Sequence, residues 1–103
     1  MKKVLFLLLV LYSQLFTAKA QYVTIPDANF VTKLTQLFPS CLNGNQMDTT
    51  CFMIVNATTV DVANSGIYDL EGVQYFDNLI NLYCDSNYLS TLPPLPSNLE
   101  NLD

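Results

Sequence analysis

The sequence predicts an α/β fold, a solenoid of short coils closed at its N-terminal end by a helix. Three observations predict it. Leu79, Leu82, Cys84, Asn87 and Leu89 spell L-x-x-L-x-C-x-x-N-x-L, and the spacing restarts at Leu99 and Leu102. Moved back by about one repeat length, Ala57, Val60, Val62, Ser65 and Ile67 fill the same five positions with a poorer match. A period of 20 to 22 residues is the mark of supersecondary units that stack because none can bury its apolar face alone. Upstream of the coils, Phe30, Val31, Leu34, Leu37 and Phe38 recur at helical spacing.

Residues 1–20 read as a targeting segment. Lys2 and Lys3 form a basic start, Val4 to Tyr12 are apolar throughout, and Ala18-Lys19-Ala20 supplies the small residues a signal peptidase needs before Gln21. The apolar run is shorter than the roughly 20 residues a membrane helix requires. A cleaved Sec-type signal is therefore expected, with an uncleaved anchor as the alternative. No cysteine follows the cleavage site, which argues against a bacterial lipoprotein.

Cleavage changes the charge that matters. Lys2, Lys3 and Lys19 leave with the signal, so Lys33 stands alone against nine acids, a net charge of −8. This acidic balance argues against nucleic acid and anionic membrane surfaces, both of which recruit clustered Lys and Arg. It fits a secreted protein kept soluble by its charge, with no membrane insertion once the signal is gone.

In chain order, Gln21 to Ile25 is a short extended lead-in ended by Pro26. Asp27 can cap a helix running from about Ala28 to Phe38, whose apolar stripe would cover the exposed edge of the first coil. Pro39 stops that helix. Cys41 and Cys51 bound a polar turn, and in an exported chain they are the preferred disulfide of the three pairings open to Cys41, Cys51 and Cys84, free thiols being the alternative. Such a closed loop is worth about 3 kcal/mol in the chain-entropy model. Asn43, Asn45 and Asp48 lie inside it, but the fifth position counted from Asn43 is Met47 and no Glu occurs before Glu71. An EF-hand needs oxygen ligands there, so a plain Asn-Gly turn accounts for the loop and no metal is expected. Asn56-Ala57-Thr58 matches a glycosylation sequon and is read as coincidence.

Three domains follow: the signal at 1–20, an N-terminal cap at 21–56 (helix about 27–38, disulfide loop 41–51) and repeats at 57–103. The repeats divide into coils 57–78 and 79–98, with a third starting at 99. Inward positions are Ala57, Val60, Val62, Ile67, Leu70, Val73 and Phe76, then Leu79, Leu82, Cys84, Leu89, Leu92 and Leu95. Cys84 replaces a leucine as a small apolar group. Asn87, with two donors and an acceptor on its amide, suits a corner whose backbone groups need partners. Because the chain stops four residues after Leu99, it is expected to be the N-terminal piece of a longer protein.

These residues resemble bacterial leucine-rich repeat proteins. The stretch V-D-V-A-N-S-G-I-Y-D-L-E-G-V-Q-Y-F-D-N-L is similar to the 22-residue internalin-type repeat, and C-D-S-N-Y-L-S-T-L-P-P-L-P-S-N-L to a shorter type with an L-P-x-L-P return. The I-P-D-A-N-F opening and the C-L-N-G-N-Q-M-D-T-T-C loop resemble the N-terminal cap of exported leucine-rich repeat proteins of Bacteroidota. Ala57 and Ser65 depart from the Leu and Asn of the pattern. The resemblance implies parallel strands on a concave face and extracellular recognition of proteins or glycans at the cell surface.

Alternation along each strand puts Thr59, Asn81 and Asn101 in one outward column, Asp61, Tyr83 and Asp103 in a second, and Ala63 with Asp85 in a third. These eight are the candidate binding residues, an acidic face with one large aromatic. Leu79, Leu82, Cys84, Asn87 and Leu89 are the structural set. Catalysis is not expected: there is no histidine, Lys33 lies on the cap helix, and no Gly-rich phosphate loop or nucleophile elbow occurs. No cofactor is implied. The partner would be an extracellular protein or glycan. The alternative is a scaffold preceding the catalytic domain of a secreted enzyme.

Overall fold

The computed structural model describes residues 21–103. The expected signal sequence, 1–20, lies outside the described residues. Strand β1 (Tyr22–Thr24) leads into helix α1 (Ala28–Leu37), a 3-10 turn (Pro39–Cys41), β2 (Leu42–Asn43), β3 (Gln46–Asp48) and the short helix α2 (Phe52–Asn56). Then come β4 (Thr59–Asp61), a 3-10 turn at Val73–Tyr75, β5 (Asn81–Tyr83) and β6 (Asn101–Leu102).

Two three-stranded sheets result, an antiparallel one ordered β1-β3-β2 and a parallel one ordered β4-β5-β6. The expected leucine-rich repeat solenoid with a helical cap is thereby corrected. A solenoid stacks one supersecondary unit again and again, and no such unit recurs among the described residues. The N-terminal half makes its own antiparallel sheet, and the two paths that return to the parallel sheet differ. The first folds through Gly72 into the 3-10 turn Val73–Tyr75, whereas the second passes Pro93, Pro94 and Pro96 without regular structure. Proline has no N–H to give a helical or ladder bond, so the second path cannot copy the first.

Local chemistry explains each N-terminal element. Asp27 Oδ1 accepts from the amides of Asn29 (2.9 Å) and Phe30 (3.0 Å), satisfying the free N–H groups that open α1. The buried stripe of α1 is Phe30 and Leu34. β2 and β3 form a hairpin in which Asn43 faces Gln46, with Gly44 at φ 60° in the turn. The lead-in strand β1 pairs with β3, Val23 opposite Met47, and the Ile25 amide extends the contact by donating to the Asn45 carbonyl at 2.8 Å. The Cys41–Cys51 disulfide then ties this hairpin to the start of α2.

One core serves both sheets. Ile25, Phe30, Leu34, Phe38, Met47 and Ile54 from the N-terminal half meet Val60, Val62, Ile67, Leu70, Val73, Phe76, Leu79 and Leu82 from the rest. Phe38 and Phe76 join the halves directly, with ring centroids 5.6 Å apart. Gly72, at φ 115°, lies so close to Ile25 that an added Cβ would collide with the Ile25 Cδ1 atom. Leu89 and Leu95 pack against this core half-buried, but Leu92, expected inward, is 45% exposed. It precedes the prolines on the irregular return path and overhangs a cleft beside β6 instead.

Candidate binding face

Strands β4, β5 and β6 run parallel with Thr59, Asn81 and Asn101 in one row and Val60, Leu82 and Leu102 in the next. Val60 and Leu82 point into the core, which turns their neighbours to the opposite face of the sheet. On that face the side chains of the first row are joined. Asn81 Nδ2 donates to Thr59 Oγ1 at 3.1 Å, and Asn101 Nδ2 donates to Asn81 Oδ1 at 2.6 Å. A ladder of this kind restrains three side chains in advance, which would lower the entropy lost on binding at this face.

The second row places Asp61 opposite Tyr83, with Asp103 following β6. Asp61 is exposed and Tyr83 half-buried, while the Asp61 Oδ1 atom accepts from the Ala63 amide at 3.1 Å. Asp103 belongs to the ladder through its backbone, its amide donating to the Leu82 carbonyl at 3.0 Å. In the third row Ala63 is half-buried and Asp85 exposed, and the Asn64 amide donates to the Asp85 carbonyl at 2.9 Å. All eight candidate residues thus lie along the three strands or their immediate ends, none of them buried.

The structural set occupies the reverse side. Leu79 and Leu82 are fully buried, and Cys84 is a buried free thiol. Burial pushes the Cys84 thiol pKa up, and the carboxylates of Asp85 and Asp103 raise it further. Its Sγ donates to the Asp103 carbonyl at 3.3 Å. Asn87 holds the corner. Oδ1 accepts from the amides of Ser65 (2.9 Å) and Ile67 (3.0 Å), and Nδ2 donates to the carbonyls of Val62 (2.8 Å) and Cys84 (2.9 Å). The corner needs this amide because Asn64 and Gly66, on either side of Ser65, both have positive φ, and the N–H groups that follow them, those of Ser65 and Ile67, are met by Asn87 and not by a neighbouring strand.

Two features of the surface were not anticipated from the sequence. Tyr68 and Tyr88 stack on each other with centroids 5.0 Å apart and planes 22° apart, although each residue is nearly two-thirds exposed. Their signal is the recurrence of tyrosine after 20 residues, following Ile67 and Asn87. A cleft of about 510 Å³ opens beside β6, lined by Cys84, Leu89, Leu92, Leu102 and Asp103. Among the described residues no group of three or more His, Cys, Asp or Glu is placed to hold a metal, and no helix is long and apolar enough to cross a membrane.

Known proteins add nothing to this geometry. The chain matches no protein-family model, no curated protein and no solved structure.

Proposed function

We propose that the chain is an extracellular binding module that recognises a protein or glycan on the solvent face of its parallel sheet. The observation that carries this reading is the ordered polar surface made by the Thr59–Asn81–Asn101 ladder beside Asp61 and Tyr83. Pre-fixed amides present donors and acceptors at set positions, and a half-buried tyrosine supplies contact area at low entropic cost. The carboxylates select for basic or hydroxylated groups. An extracellular setting draws support from the Cys41–Cys51 disulfide, since such bonds persist in oxidising compartments.

The test is an array of extracellular proteins and glycans probed with the full chain and with a Tyr83→Ala, Asp61→Ala variant. Loss of the captured ligand by the variant, with unchanged thermal unfolding, supports the reading. Equal capture by both proteins refutes it.

A further inference from the structure

We infer that the stacked Tyr68 and Tyr88 rings form a second recognition site, which receives an arginine guanidinium presented by a basic partner. The pair is rigid at its base. The Tyr68 amide donates to Asp27 Oδ2 at 2.8 Å and the Tyr88 amide donates to the Ile67 carbonyl at 2.8 Å. Both residues are exposed, at 65% and 64%, so the stack lies at the surface, where a ligand can reach it.

Two properties of the surroundings choose the occupant. The first is charge. Lys33 is the lone cation among the described residues, against nine acids, and Asp69 follows Tyr68 directly. Asp27, which accepts from the Tyr68 backbone amide, stays ionised at neutral pH because burial, which opposes ionisation, is outweighed by N–H groups from Phe30, Tyr68, Asp69 and Asn29. A planar guanidinium stacks on an aromatic face and is drawn by such a field. The second is the state of the neighbouring polar groups. Asp27 already accepts four backbone amides, Asn29 donates to the Gly66 carbonyl at 2.8 Å, and Asn87 is fully engaged. With Asp27, Asn29 and Asn87 engaged, the Asp69 carboxylate beside Tyr68 can still take a hydrogen bond, and a guanidinium draws on that charge and on the ring face together, where a neutral sugar gains nothing from the field.

Neither tyrosine belongs to a strand of the parallel sheet, and the inference does not depend on that face. The test is an NMR titration of the full chain, following the tyrosine ring resonances, with a capped tetra-arginine peptide, a capped tetra-lysine peptide and cellotetraose. The expected result is a shift of the Tyr68 and Tyr88 rings with tetra-arginine, a smaller one with tetra-lysine and none with the sugar. Tyr88→Leu, at an exposed position, should weaken tetra-arginine binding about 2- to 5-fold, the range for an exposed cation–π contact. Tyr83→Ala should leave it unchanged. The inference is overturned if cellotetraose shifts these rings and the peptide does not. It is equally overturned if tetra-arginine binds Tyr88→Leu as well as the parent chain, which would mark diffuse attraction to the acidic surface.

Discussion

Replacing Asn87 with alanine should be among the most damaging single changes outside the apolar core. The substitution deletes four hydrogen bonds of 2.8 to 3.0 Å, two accepted by Oδ1 and two donated by Nδ2. Each such bond contributes about 1 kcal/mol net, and a group left buried without a partner costs about 1 to 3 kcal/mol. Because Asn87 is only half-buried, water can enter and replace some of the loss, so the expected destabilisation is about 2 to 4 kcal/mol. The assay is urea unfolding at equilibrium, where a lower midpoint at constant slope reports stability alone. Asn87→Asp keeps the two accepted bonds but turns the donor into an oxygen facing the Val62 and Cys84 carbonyls, and should recover little. A loss below about 0.5 kcal/mol, the range of ordinary surface substitutions, would refute the account of Asn87 as the partner of this corner.

Three further outcomes test the rest of the frame. Reduction of Cys41–Cys51, with a sequence separation of 10, should cost about 3 kcal/mol, read as a drop in the urea midpoint on adding reductant. The Asp27 carboxyl is held below its ordinary pKa by its four amide donors against the opposing effect of burial. Its contribution is therefore complete above the unfolded value near 4 and is lost as pH falls through the lower folded value; Asp27→Asn should flatten that part of the stability–pH curve, and an unchanged curve would refute the role. Gly72→Ala should destabilise by about 1 to 3 kcal/mol, since it combines a φ of 115° with a collision against Ile25; thermal unfolding at the wild-type temperature would overturn this.

What the sequence revealed and concealed divides along physical lines. α1 was legible because its signals are local: an Asp at the cap, an apolar stripe at 3.6-residue spacing and a proline at the end. Cys41 and Cys51 were legible as a pair because the polar turn between them is short. The antiparallel sheet was not, since Gln46–Asp48 carries a single apolar residue and its pairing with Tyr22–Thr24 joins residues 22 or more apart in sequence. No periodicity encodes such a partner. The helix of α2 leaves no such signal either, five residues being too few to show a helical period. The solenoid expectation failed for a different reason. The recurrence at Leu79, Leu82, Cys84, Asn87 and Leu89 reflects strand and corner positions, while the segments between them carry different backbone chemistry. On the candidate face, alternation gave the rows, but the Thr59–Asn81–Asn101 bonding and the Tyr68–Tyr88 stack depend on which side chains of separate segments come into reach.

The Asp27 carboxylate also sets an order on folding. One of its oxygens can be filled as soon as α1 forms, by amides two and three residues away, but the other waits for Tyr68 and Asp69, 41 and 42 residues further along. A chain emerging from its N-terminus can wind this helix early and hold it only loosely. The helix is clamped when the Ile67–Asp69 corner arrives, and the same approach brings Gly72 against Ile25. Docking of the two halves is thus expected as a single late event governed by long-range closure, the kind of step that slows folding. Amide exchange in α1 should therefore fall to its final rate together with that of Tyr68 and not before it.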